Sequence, residues 1–96
     1  MNSFNQKSLG ESIKDFLKTY RLEEKLTEAR ITVSWEKVMG YHIAKYTRKV
    51  TLRKKVLYVE LTSSVMRNEL MMAREKIIGM INKEIGEGII EEVVFR

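Results

Sequence analysis

The chain of 96 residues contains no cysteine and no proline, and it has only one histidine and one tryptophan. The absence of cysteine excludes disulfides, thiolate metal sites and cysteine nucleophiles. Without proline, low-complexity sequence or internal repeats, nothing in the chain is typical of an interdomain linker. No apolar run approaches the ~20 residues that a membrane span needs, and the polar start is not typical of a secretory signal. These absences predict one soluble, cytoplasmic domain.

The residues that catalysis requires are also scarce. The single histidine, His42, lies in a predicted loop, and most carboxylates stand beside basic residues at the helical spacings of a solvated face. The five glycines, at 10, 40, 79, 86 and 88, do not form the spacing of a phosphate-binding loop. We therefore predict a protein that is not an enzyme and that uses no metal or cofactor.

Positive charge is what the chain concentrates in one place. The segment KYTRKVTLRKK contains six cations and no acidic residue: Lys45, Arg48, Lys49, Arg53, Lys54 and Lys55. The whole chain has a net charge of +5, so the other 85 residues sum to −1 (12 minus 13). The protein is therefore a nearly neutral domain with one basic segment.

Apolar periodicity predicts two helices in the first part of the chain. A capping box at 8–11 starts a short amphipathic helix. Its apolar face is formed by Ile13, Phe16, Leu17 and Tyr20. A second helix is predicted over Leu22–Met39, with Gly40 as its left-handed stop. Its apolar stripe begins with Leu22, Leu26, Ala29 and Val33 and then drifts to Ile31, Trp35, Val38 and Met39.

The period changes to two over residues 47–61, which predicts an antiparallel hairpin turning at 53–55. A long helix is then predicted from Ser63 or Ser64 to Gly86. Its core stripe comprises Met66, Leu70, Ala73, Ile77 and Ile81. The last segment, IIEEVVFR, predicts a strand whose core residues are either Ile89, Val93 and Phe95 or Ile90 and Val94. The order α-α-β-β-α-β predicts an α+β fold, with a three-stranded sheet packed against helices.

The predicted hairpin places Lys49, Thr51 and Arg53 on the face opposite Val50 and Leu52. If the apolar pair faces the core, an exposed positive ribbon results, of the kind that binds a phosphate backbone. Tyr46 and Tyr58 add candidate stacking surfaces. The alternatives are charge that keeps a hairpin soluble, or a surface that docks an acidic protein. Phosphate contacts would position a nucleic acid without reading its sequence.

Two residues are candidates for binding a protein partner. Trp35 is the only tryptophan and lies on the apolar stripe of the predicted second helix, so it is either a core residue or an interface anchor. Met71 lies off the main stripe of the predicted long helix and is either core filler or part of an adaptable docking surface.

Four segments together resemble the DciA family: SWEKVMGYHIAKYT, VLYVELTSS, VMRNELMMAREKIIGMIN and EGIIEEVVF. The resemblance covers about Leu22 to Phe95. It implies a KH-like fold. Because the first seven residues are polar, residues 8–96 are expected to form a single KH-like domain behind a disordered segment at 1–7. The resemblance also implies a role in chromosome replication, in which the protein binds DNA, with single strands favoured, and assists loading of the replicative helicase DnaB.

The chain departs from relatives of that kind in three ways. It has no cysteine for the zinc ribbon once described in the family, and no Gly-x-x-Gly loop of the kind by which KH domains clamp nucleotides. It also stops at Arg96, without the basic tail that many members carry, so DNA binding is expected to depend on residues 45–55. An RNA- or ribosome-associated KH-like factor and a protein-interaction module are the alternative functions.

Overall fold

A computed structural model describes residues 6–19 and 21–96 of the chain. Its elements are α1 (Gln6–Thr19), α2 (Leu22–Met39), α3 (Tyr41–Lys45), β1 (Thr47–Arg53), β2 (Val56–Leu61), α4 (Ser64–Met72), α5 (Arg74–Ile85) and β3 (Glu92–Phe95). The strand order is β1-β2-β3, with β2 antiparallel to β1 and parallel to β3. The predicted KH-like α+β architecture, a three-stranded sheet packed against helices, is confirmed.

The core lies on one face of this sheet. Leu57 and Val59, alternate residues of the central strand β2, have no exposed surface. They pack with buried residues of the helices and of the last strand, Ile31, Trp35, Leu70, Ile77, Ile81, Val93 and Phe95. Burial of each such side chain stabilises the fold by about 1.5–3 kcal/mol before conformational entropy is counted. Because successive strand residues point to opposite faces, the same strands present their intervening residues to solvent.

Helix α2 has the predicted bounds, and Gly40 ends it with φ 89° and an N–H that donates to Glu36 O at 2.7 Å. Its apolar stripe was predicted less well. The drifted set, represented by Ile31 and Trp35, is buried, whereas Val33 of the first set is 84% exposed. The apolar periodicity is compatible with burial of either stripe. The stripe with Ile31 and Trp35 is buried because it is the one that faces the sheet.

Helix α1 exposes part of the apolar face that its sequence predicts. Ile13 and Phe16 are both more than half exposed. The burial of Leu17 and Tyr20, also assigned to this face, lies outside the described residues. The helix includes Gln6 and so begins before the predicted capping box. Residues 1–5 lie outside the described part of the chain, so their predicted disorder stays a prediction, whereas residues 6 and 7 of the segment 1–7 belong to α1.

Two differences from the predicted order concern helices. The sequence analysis missed α3, because five residues are too few to show a helical period.

The predicted long helix is two helices that meet at Ala73, with φ −106° and ψ 13°. A straight helix from Ser64 to Ile85 would be about 33 Å long, whereas the six residues of β2 span about 20 Å. The break keeps Leu70 and Ile77 over the same short sheet.

The predicted N-cap of this region is confirmed at Ser63, whose hydroxyl accepts a hydrogen bond from Met66 N–H at 3.2 Å. A capping side chain of this type contributes about 1 kcal/mol. It fixes the point at which the chain leaves β2 and enters α4.

The last strand is held by a buried amide. Asn82 donates from Nδ2 to Ile90 O and accepts from Ile90 N–H, both at 2.9 Å. This pairing fixes the backbone that enters β3, where Val93 and Phe95 are buried and Val94 is 37% exposed. Of the two predicted core sets, the one that contains Val93 and Phe95 therefore gives the core residues of β3. Ile90, from the other set, is also buried, but it lies before the strand.

Candidate nucleic-acid interface

The face of the sheet opposite the core is an open surface built by all three strands. The buried residues Leu52, Leu57 and Val93 define the inner face, so their strand neighbours define the outer one. The open face consists of Lys49, Thr51 and Arg53 on β1, Val56, Tyr58 and Glu60 on β2, and Glu92, Val94 and Arg96 at the end of the chain. Each of these side chains is partly or fully exposed.

All six cations of the basic segment are exposed, but they do not all lie on one strand face. Lys49 and Arg53 lie on the open face. Arg48 lies at a register irregularity between Thr47 and Lys49, which brings its guanidinium beside Glu60. The remaining three flank the strand: Lys45 ends α3, and Lys54 and Lys55 form the hairpin turn. The predicted ribbon is therefore a row along β1 with a cationic tip.

The turn adopts a strained conformation for lysine. Lys54 and Lys55 have φ values of 49° and 66°, and positive φ at both central residues is the requirement of a type I′ turn, which normally selects asparagine and glycine. Tertiary contacts hold it instead. Lys54 N–H donates to Glu24 Oε2 at 2.9 Å, and Glu91 N–H donates to Lys55 O at 2.8 Å. The backbone of the turn is thus held by the packing of α2 and of the segment before β3.

Carboxylates neutralise half of the six cations. The ion pairs are Arg48 with Glu60 at 3.3 Å, Arg53 with Glu24 at 3.9 Å, and Lys55 with Glu91 at 3.6 Å. Lys45, Lys49 and Lys54 form no ion pair with any residue in the ranges 6–19 and 21–96. The local charge of this group falls from +6 to +3 (6 minus 3). The interface stays positive, although less so than the sequence suggests.

Two glutamates of α2 have a structural role that the sequence did not reveal. Glu28 accepts a hydrogen bond from Leu52 N–H at 2.9 Å, as Glu24 does from Lys54 N–H. These backbone groups lie on the outer edge of β1, which has no neighbouring strand. The spacing of the two glutamates is that of an ordinary solvated helix face, and only the docking of α2 along the strand distinguishes them.

Both predicted stacking tyrosines lie near a cation. The guanidinium carbon of Arg96 lies 4.7 Å from the centroid of the Tyr58 ring, and Lys45 Nζ lies 5.8 Å from the centroid of Tyr46. Tyr58 is at the centre of the open face, whereas Tyr46 follows α3 at the start of the hairpin. Both distances are within the ~6 Å range of a cation–π contact, and the Arg96 contact is the shorter. Arg96 was not among the residues that the sequence pattern singled out.

Of the two predicted partner-binding residues, Trp35 lies in the core and is only 4% exposed. Its indole N–H donates to Thr47 Oγ1 at 2.9 Å, and that hydroxyl donates to Ile43 O at 2.6 Å. Trp35 therefore ties α2 to the start of β1 and has almost no surface for a partner. The predicted partner-binding role of Trp35 is therefore wrong. Trp35 lies on the same stripe of α2 as Ile31, and this stripe faces the sheet.

Met71 keeps an accessible surface, with 44% of its area exposed. It lies near the end of α4, beside the exposed Met72, and both line a shallow depression with Arg74 and Lys76 of the adjoining helix. Its role in docking a partner stays a prediction.

Comparisons with known proteins match most of the chain. A family model described as "Dna[CI] antecedent, DciA" matches residues 8–95. A UPF0232 protein of Corynebacterium glutamicum (strain R) is 30% identical over 63 residues, which are 66% of this chain and 35% of that protein. The chain thus spans about a third of the length of this relative. Within residues 6–19 and 21–96, no helix has the length and apolar character to cross a membrane.

Proposed function

This chain belongs to the DciA family, and we propose that it is a non-enzymatic replication adaptor that works in the cytoplasm. In this role it binds single-stranded DNA along β1 and assists loading of the replicative helicase DnaB. The helicase is suggested by the family, which is associated with DnaB. DNA binding is supported by the exposed cations along β1 and at the hairpin tip.

The observation that carries the DNA hypothesis is this row of cations. Lys49 and Lys54 are exposed and form no ion pair with the described residues. The ion pairs of Arg48 and Arg53 are partly exposed, and such pairs contribute only about 0–1 kcal/mol. These guanidinium groups can therefore exchange a carboxylate for a phosphate at small cost. Four phosphates can be contacted along the strand and its tip.

Salt dependence tests this hypothesis. For a single strand, neutralising four phosphates gives a slope of log affinity against log salt of about −3. Replacing Arg48, Lys49, Arg53 and Lys54 together by glutamine should bring the slope close to zero. The measurement is fluorescence anisotropy of a labelled oligonucleotide between low and physiological salt.

A charge-matched control separates a local site from general attraction. Glutamine at Lys14, Lys18, Lys76 and Lys83 lowers the net charge by the same four units, and these exposed lysines lie outside the hairpin. This variant should keep most of the slope. An equal loss in both variants, or no loss in the hairpin variant, would contradict binding at β1.

The helicase part of the proposal needs a separate measurement. Binding of purified DnaB should weaken in a Met71→Asp variant, because a charge there disrupts an apolar docking surface, while DNA binding by the variant stays unchanged. Val65→Asp places the same charge on an exposed valine at the start of α4 and serves as the control. If the unmodified protein does not bind DnaB, the adaptor role fails. If Met71→Asp binds DnaB normally, docking occurs on another surface.

A protein-interaction module is the second candidate, and the exposed apolar residues Ile13, Phe16, Leu26 and Val33 of the first two helices favour it. Such a module would show no DNA binding at physiological salt. An RNA-associated factor would instead prefer RNA when DNA and RNA of equal length compete. These two measurements distinguish the three functions.

A further inference from the structure

The open face of the sheet contains an aromatic–cation pair that the row along β1 does not explain. The Arg96 guanidinium lies over the Tyr58 ring, 4.7 Å from its centroid. The backbone of Arg96 is fixed on β2, since its N–H donates to Val59 O at 2.9 Å and its carbonyl accepts from Leu61 N–H at 2.8 Å. The backbone of both residues of the pair is therefore held in the sheet.

The charges around this pair are distributed unequally across the sheet. Lys49 and Arg53 lie on β1, whereas the carboxylates of this face, Glu60 and Glu92, lie on β2 and β3. A phosphate backbone is attracted to β1, where Lys49 is unpaired among the described residues, and less to the other two strands, where Glu60 and Glu92 pair with Arg48 and Arg74 at 3.3 and 3.9 Å. Adjacent strands are ~4.8 Å apart, so Tyr58 lies one strand spacing from the phosphate path. Nucleotides bound along β1 would direct their bases toward Tyr58 and Arg96.

The outer side of the pair is accessible. Arg96 is exposed, and it also lines a shallow depression of about 330 Å³ with Arg48, Glu60, Leu61 and Thr62. Guanidinium planes and aromatic rings are the two protein groups on which unpaired bases stack. Here the Arg96 guanidinium covers the Tyr58 ring, so the guanidinium is the group that an incoming base can reach.

We propose that Tyr58 and Arg96 form a stacking site for a base of single-stranded DNA. The base lies on the outer side of the Arg96 guanidinium, and Tyr58 supports that group from beneath. This inference rests on the proposed DNA-binding function and adds a reason for selecting single strands, because the bases of a duplex are already stacked on one another. The site is tolerant of sequence, since every base has a π face.

The test combines a modified DNA with a conservative variant. The probes are a labelled oligothymidylate of about 15 nucleotides, the same backbone carrying abasic residues, and a duplex of equal length. Arg96→Lys retains the charge and removes the planar group. It should lower affinity for the oligothymidylate by about 5- to 150-fold, the range for one stacked base, without changing the salt slope. Affinity for the abasic strand should not change.

Two further variants keep the result interpretable. Tyr58→Ala removes the ring beneath the guanidinium and should weaken binding of oligothymidylate without weakening binding of the abasic strand. Tyr41→Ala is the matched control: it removes an exposed tyrosine of α3 whose ring contacts His42, and it should bind normally. The abasic probe needs no variant: the unmodified protein should bind it more weakly than oligothymidylate at every salt concentration, and should prefer the single strand to the duplex.

The outcomes separate this inference from the function on which it rests. Equal affinity for the abasic strand and the oligothymidylate, with a salt slope near −3, would reject the stacking site and leave phosphate binding at β1 intact. A fall in salt slope by about 0.7 in an Arg96→Gln variant, which removes the charge, would show that Arg96 contacts phosphate, and would also reject it. No binding of either strand at low salt would reject both.

Discussion

The two faces of the sheet are built from alternate residues of the same three strands, yet they differ in almost every physical property. On the inner face, Leu57 and Val59 are fully buried against the helices. On the outer face, their neighbours Tyr58 and Glu60 stay accessible and are surrounded by charge. Stability therefore resides on one face, and the proposed binding chemistry on the other. Substitutions one position apart should separate the two.

The largest expected effect is on the inner face. Leu57→Ala removes a fully buried side chain and should lower the free energy of unfolding by about 2–5 kcal/mol, measured by urea denaturation. Val94→Ala on the outer face is the control, and should change it by less than about 1 kcal/mol because Val94 is accessible and lies off the core. Similar losses in both variants would mean that the outer face is covered by part of the molecule or by a partner.

A buried polar residue should give the next largest effect. Asn82→Ala leaves the backbone groups of Ile90 without their partner, and an unsatisfied buried group costs about 1–3 kcal/mol. The exposed Asn68→Ala should stay within about 0.5 kcal/mol of the unmodified protein. Thermal unfolding followed by circular dichroism measures both. A stable Asn82→Ala protein would show that the entry into β3 does not depend on this amide.

Substitutions on the outer face and hairpin tip should change DNA affinity rather than the free energy of unfolding. Lys49→Gln with Lys54→Gln removes two unpaired cations, and should flatten the salt slope for single-stranded DNA by about 1.4. The unfolding free energy should change by less than about 0.5 kcal/mol per substitution. An unchanged slope, with the fold intact, would show that DNA does not follow β1.

The smallest expected effect tests the glutamate that faces the hairpin. Glu24→Gln removes the carboxylate 3.9 Å from Arg53 while keeping an oxygen that can accept from Lys54 N–H. Releasing an exposed ion pair should raise DNA affinity by about 1.5- to 5-fold. Glu23→Gln removes an exposed charge from the neighbouring residue and should have a smaller effect. A lower affinity in Glu24→Gln would mean that the charge positions the hairpin rather than competing with phosphate.

Local patterns were enough for several features of the fold. Gly40 and the apolar period predicted both ends of α2, Ser63 predicted the cap of α4, and alternation over 47–61 predicted the hairpin and its core face. The clustering of cations identified the candidate site. Each of these depends on interactions among residues close in sequence, which is why they are visible without the structure.

Other features depended on distant residues. The turn at Lys54 and Lys55 carries none of the usual signals, because Glu24 and Glu91 hold a backbone conformation that lysine disfavours. The bend at Ala73 interrupts a run of good helix formers, because a straight helix would extend beyond the sheet. Two of the three ion pairs of the basic segment also depend on docking, since Glu24 and Glu91 are far from the hairpin in sequence.

The sequence by itself determined the bounds of α2, the hairpin, the cap of α4 and where the positive charge is concentrated, because periodicity and capping act within a few residues. Only the tertiary structure decided which stripe of α2 is buried, which cations remain unpaired, and that Arg96 lies over Tyr58. Those outcomes depend on how α2 and β3 pack beside the hairpin. Packing is settled by the shapes and charges of surfaces that meet only after the chain has folded.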